Sequence, residues 1–146
     1  MAPLIVQIVS TLLARALVPW RDAARIGLAV MFVFTAGSHV SSLKYDLAAM
    51  IPPPLTGALW VIYVTGVLEA TGAIGLLTWR WRRAVAWCLI ALLVAMFPAN
   101  VYAALAGVTL GGDAATPLWL RTPLQIFWIG LLWWSTLARH SRVRTE

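Results

Sequence analysis

Residues 84–107 read AVAWCLIALLVAMFPANVYAALAG, without one charged side chain. An α-helix needs roughly 20 apolar residues to cross a bilayer, and this run exceeds that. It lacks the two-residue alternation of a membrane β-strand, so a helix is the expected form. Pro98 interrupts the run and Asn100 follows it. A proline inside a helix frees a carbonyl about one turn earlier, here near Leu93 or Val94, and bends the axis. Freed carbonyls at membrane depth are tolerated only beside protein or a watery cavity. The stretch therefore predicts a spanning helix that borders a polar space.

Three more apolar runs flank it. Residues 23–40 form the first, 57–78 the second with Glu69 as its charge, and 118–138 the fourth with Arg121 as its charge. Hydrophobic residues make up 62% of the 146-residue chain and charged residues 11%, whereas a soluble domain carries roughly 25% charged residues. The fold class predicted is all-α, an integral membrane four-helix bundle. No internal repeat or second domain is visible.

The basic residues give an orientation. Arg15, Arg21 and Arg25 precede or open the first span; Arg80, Arg82 and Arg83 fill the turn between the second and third; Arg139, Arg142 and Arg144 follow the fourth. The other two loops carry Lys44 offset by Asp46, and Asp113 with no basic residue. The positive-inside rule then places both termini and the central turn in the cytoplasm, with outer loops near 41–56 and 108–117. Interfacial aromatics agree. Trp20, Trp79, Trp81, Trp133 and Trp134 mark the inner interface, and Trp60, Trp119, Tyr45 and Tyr102 the outer one.

Two further segments are apolar but short. Residues 3–18 have no basic stretch before them and are interrupted by Ser10, Thr11 and Arg15, so a cleaved signal peptide is not expected. Residues 1–20 are read as an N-terminal interfacial segment on the inner face; the alternative is that residues 3–18 cross, which would put the N-terminus outside. Residues 43–51 precede Pro52, Pro53 and Pro54, which end any helix there; a short outer-loop helix lying over the bundle is expected. Residues 139–146 form a basic cytoplasmic tail.

Much chemistry is excluded by what is missing. Cys88 is the single cysteine, which rules out an internal disulfide or a CxxC redox pair. His39 and His140 fall at opposite ends of the expected bundle and cannot clamp one haem between them. No HExxH, glycine-rich phosphate loop or paired carboxylate motif occurs. No metal site and no intrinsic cofactor are expected. The net charge of +6 sits at the span flanks, not on a basic-aromatic surface, so nucleic acid is not an expected partner.

The polar residues inside the spans are the candidate site. A carboxylate in mid-span is costly unless it faces protein or water. Glu69 has Thr65, Gly66, Gly72 and Ala73 as its helical neighbours, small residues that allow a close helix approach. It is therefore expected to point inward. Arg121 and Gln125 share one helix face at i, i+4 spacing, with Trp128 continuing it. At 1.5 Å rise per residue, Asn100 and Gln125 lie roughly 10 Å below the outer boundary, with Glu69 deeper, Arg121 shallower and His39 at the rim. All five fall in the outer half or the midplane. A polar cavity lined by Glu69, Asn100 and Gln125, with Arg121 and His39 nearer its mouth, is the expected arrangement. The bland alternative assigns the same groups to helix packing or, for Arg121, to the outer headgroups.

At these residues the sequence resembles the DoxX-like family of small four-helix membrane proteins. Matching features are Gly37-Ser38-His39, Met50-Ile51-Pro52, Tyr63-Val64-Thr65-Gly66-Val67-Leu68-Glu69, Gly75-Leu76-Leu77, Phe97-Pro98-Ala99-Asn100 and Arg121-Thr122-Pro123-Leu124-Gln125. The resemblance covers roughly residues 21–138. The family takes its name from a subunit associated with archaeal quinone-linked thiosulfate oxidation, but its members are otherwise mostly uncharacterised, so the name implies little about the substrate; the expected location is a bacterial cytoplasmic (inner) membrane. The CxxC of the thiol-redox relatives is absent here, so disulfide chemistry is not implied.

Three functions compete. A membrane subunit could bind a quinone or another lipophilic molecule, with Phe97 and Trp128 beside its ring and a redox partner subunit supplying the electron carrier. No catalytic residue is identified. A non-catalytic assembly protein would use the polar network for packing. A solute or proton path would call for a homo-oligomer, since four spans are few for alternating access. The lipid bilayer is the partner common to all three.

Overall fold

The computed structural model describes residues 2–114 and 116–138. Arg139, His140, Arg142 and Arg144, and with them the expected tail, lie outside the described residues. The described residues are all-α apart from one small hairpin. In order the chain forms α1 (Ala2–Arg15), α2 (Trp20–Ser38), α3 (Lys44–Ala49), α4 (Leu59–Leu77), α5 (Arg82–Ala106), β1 (Thr109–Leu110), β2 (Asp113–Ala114) and α6 (Leu118–Leu132). A π-helical turn, Trp133–Leu137, continues α6.

The helix bounds follow local chemistry. Pro19 turns the chain into α2, its carbonyl accepting from the amides of Asp22 and Ala23 at 2.9 Å each. α5 runs unbroken through Pro98. The hairpin pairs Thr109 with Ala114 and Leu110 with Asp113. Its turn residues, Gly111 and Gly112, have φ of 62° and 87°, a region that favours glycine and suits a two-residue hairpin.

Two helices, α4 and α5, are long and apolar enough to cross a membrane, with mean hydropathy 1.6 and 2.2. The other two expected spans fall short of that measure for identifiable reasons. α2 carries Arg21, Asp22 and Arg25 in its first two turns. α6 has only 15 α-helical residues before the π turn. The outward faces of α4 and α5 are apolar, with Val64, Val67, Ile74, Trp87, Val94 and Leu105 exposed.

One end of the bundle is solid. Leu28, Phe32, Leu76, Leu89 and Leu132 are fully buried there, with Ala29, Ala73 and Ala86 between them. Close approach depends on the small residues of α4: a Cβ at Gly72 would sit 2.5 Å from Leu89 Cδ2.

The interfacial helix expected over residues 1–20 is instead part of the bundle. α1 lies antiparallel against α2, with Gln7 and Thr11 packed onto Gly27 and Arg15 stacked over Trp20. A Cβ at Gly27 would collide with the Thr11 hydroxyl. Gln7 and Thr11 bond to each other within α1. The Gln7 amide donates to Thr11 Oγ1 at 3.0 Å, and that hydroxyl donates to the Gln7 carbonyl at 2.8 Å.

Candidate functional site

The other end of the bundle is hollow. A cavity of about 390 Å³ opens among α2, α4, α5 and α6. His39, Glu69, Asn100, Arg121 and Gln125 all line it. The five residues marked by the sequence are thus brought together, on two walls of different construction.

The wall of α5 and α6 is a chain of hydrogen bonds. Arg121 Nη1 donates to Asn100 Oδ1 at 2.9 Å. Asn100 Nδ2 donates onward to Gln125 Oε1 across a longer 3.4 Å. Gln125 Nε2 ends the chain on the Leu93 carbonyl at 2.8 Å. Because a guanidinium only donates, Asn100 must turn its oxygen to Arg121, and the direction of every later bond follows. Leu93 lies one turn before Pro98, where a proline ring pushes carbonyls off the helix axis.

The wall of α2 and α4 is less complete. Glu69 and His39 are each 4% exposed. His39 Nδ1 lies 3.0 Å from the Thr35 carbonyl, so that nitrogen carries the proton and donates. Glu69 Oε2 is 3.7 Å from the same nitrogen, too far for a hydrogen bond, and it accepts none; the Thr35 hydroxyl, which donates to the Phe32 carbonyl, lies beside the same carboxyl group. Trp128 Nε1, also on the cavity lining, is a second buried polar atom without a partner. Among the described residues only one more such atom occurs, Gln7 Oε1, and Gln7 is not part of the lining.

His39 departs from its expected place. It is buried against Glu69, not at the mouth. A Cβ at Gly66 would lie 2.7 Å from His39 Cβ, so α2 ends level with a point seven residues into α4. That is about 10 Å below the start of α4. The space left above α2 is covered by α3 and the hairpin. Leu43, Leu47 and Met50 line the cavity from one, and Leu110 from the other. The Gly111 amide donates to Asp46 Oδ2 at 2.8 Å and joins the two. A lid formed by the outer-loop segment is therefore present. Among the described residues neither Asn100 nor Gln125 bonds to Glu69; the two amides serve Arg121, each other and the Leu93 carbonyl.

Other lining residues have no signal in the sequence. Phe32 and Met31 supply apolar surface from α2, and Pro3 and Leu4 of α1 reach the same space. Phe97, the aromatic expected beside Trp128, does not line the cavity.

No curated protein and no solved structure matches this sequence. One family does match, over residues 28–136, a stretch that contains all five cavity residues and most of the bundle. The chain belongs to that family, described as "Domain of unknown function (DUF8561)".

Proposed function

We propose that the chain is a four-span membrane protein of the DoxX-like kind, whose outer cavity holds the head group of a lipophilic carbonyl compound, a quinone or its quinol. One observation carries the reading: two buried polar atoms without hydrogen-bond partners, Glu69 Oε2 and Trp128 Nε1, belong to residues that line the same cavity. Buried polar atoms are nearly always satisfied, and each exception calls for a partner. The indole N–H needs an acceptor, which a quinone carbonyl supplies. The carboxylate oxygen needs a donor, which a quinol hydroxyl supplies. The volume suits a small-molecule head group, with Phe32, Met31 and Leu124 as apolar surface.

In this reading all four long helices cross the membrane and the Arg80–Arg83 turn is cytoplasmic; α1 runs back along α2, so the N-terminal end expected in the cytoplasm lies toward the outer cavity, which Pro3 and Leu4 line. The placement is the bacterial inner membrane. Electron transfer belongs to a redox partner subunit, and this chain positions the head group. Five of the six motifs of the DoxX-like resemblance contribute a residue to the cavity lining, and Gly75-Leu76-Leu77 lies in the solid part of the bundle. A packing role is favoured for one part of the site. The Arg121–Asn100–Gln125 chain is internally satisfied and joins α5 to α6 without any ligand.

The test is titration of short-tailed benzoquinones and naphthoquinones into the protein in lipid nanodiscs. Saturable binding that is lost in Glu69→Gln supports the reading. Absence of saturable binding to every quinone tested overturns it.

A further inference from the structure

At the opposite end of the molecule the first turns of α2 and α5 face the π-helical turn across a groove of about 840 Å³. We propose that this groove binds a phosphate group, as a membrane lipid's phosphodiester or as free phosphate. Arg21, Arg25, Arg82 and Arg83 line it against one carboxylate, Asp22. Asp22 is already paired with Arg25. The Arg25 side chain is only 12% exposed, and Arg82 and Arg21 both repel it. Like charges gathered around a buried guanidinium are a standing cost that an anion between them would remove.

The cations are held in place. The Arg82 guanidinium stacks on Trp79 at 3.7 Å. A stacked guanidinium keeps its N–H edge available for an oxyanion. Arg21 lies over Trp134 and donates to the Ala138 carbonyl at 3.0 Å. Neither helix start has a side-chain cap, so the positive ends of two helix dipoles face the same space. From the third side the π turn places Ser135 and Thr136 on the lining; the Ser135 hydroxyl is engaged with the Leu132 carbonyl at 3.5 Å and lies 3.3 Å from that of Thr136, so at most one hydroxyl is left to donate. Several guanidinium groups from two helix starts fit a tetrahedral group with several acceptor oxygens better than a planar carboxylate, which one arginine fork would satisfy. Basic pockets between helices near the cytoplasmic face are the usual form of a lipid headgroup site.

The experiment has two arms, both read on the full chain. In the first, protein is reconstituted in discs of phosphatidylcholine with phosphatidylglycerol, and retained lipid is counted by native mass spectrometry. In the second, the melting temperature in neutral discs is followed against inorganic phosphate, with chloride at matched ionic strength. Retention of phosphatidylglycerol over phosphatidylcholine identifies the lipid source; stabilisation by phosphate beyond chloride identifies the free anion. The R82Q/R83Q double variant should weaken whichever is seen by roughly thirtyfold, at roughly fivefold per arginine near a lipid surface. Arg80→Gln, exposed and outside the groove, should leave it unchanged. Wild-type protein that shows neither preference overturns the proposal. So does an equal loss in Arg80→Gln and the double variant, which would mean diffuse charge instead of a site.

Discussion

The two walls of the cavity face the same space and handle buried polarity in opposite ways. On α5 and α6, an arginine, two amides and a helix carbonyl satisfy one another in series. On α2 and α4, Glu69 approaches His39 without bonding to it, because His39 gives its proton to Thr35. The fold is able to complete a buried network, since it does so on the facing wall of the same cavity. The incomplete wall therefore points to a partner from outside the chain. Satisfied polar groups rigidify a bundle, while an unsatisfied one at the same depth is where a ligand would gain most.

The comparison presupposes that the cavity opens away from the cytoplasm, and the test of that is all-or-none. In a chain whose exposed Cys88 is replaced by alanine, Asp113→Cys should label with an impermeant maleimide in intact spheroplasts and Arg80→Cys should not. Labelling at position 80 alone would invert the assignment. Next in size is Glu69→Gln. Quinone affinity should fall about tenfold to a hundredfold, the range for hydrogen bonds to a charged group, with thermal stability unchanged or raised. A stability loss without an affinity change would make the α2–α4 wall structural as well.

Gln125→Leu should do the reverse. It strands the Leu93 carbonyl and the Asn100 amide, and should cost about 1–2 kcal/mol in reversible unfolding. If it unfolds no more easily than wild type, the completed wall is not what holds α5 to α6. The smallest effect is expected for Trp128→Phe, which keeps the ring surface and removes the unpartnered N–H. Affinity should drop about fivefold, with no change in melting temperature, for one neutral hydrogen bond. An unchanged affinity would confine the ligand to Glu69.

The helices and the site differ in how far sequence discloses them. α4 and α5 lie within a few residues of the apolar runs that predict them, because length and composition alone decide such helices. Glu69, Asn100, Arg121 and Gln125 stand out for the same reason: each is polar where polarity is costly. Depth counting fails for His39, since it assumes that all helices start at one level. α2 stops about 10 Å short of the top of α4, a fact set by α3 and the proline segment and invisible to periodicity. Trp128 is legible as an aromatic, but not as an unpartnered donor. The docking of α1 was hidden by Gln7 and Thr11, which break an apolar pattern yet pair with each other. Gly27 is the trace of that contact, a small residue facing a close approach. The hairpin carries the Gly111-Gly112 turn signal, but its strands are two residues each, too short to show alternation.

The most direct measurement is an experimental structure of protein taken from its native membrane into polymer-bounded lipid discs, without detergent. The account predicts planar density inside the outer cavity, with oxygen atoms within hydrogen-bond distance of Glu69 Oε2 and Trp128 Nε1. A cavity in which ordered waters alone satisfy both atoms would contradict it.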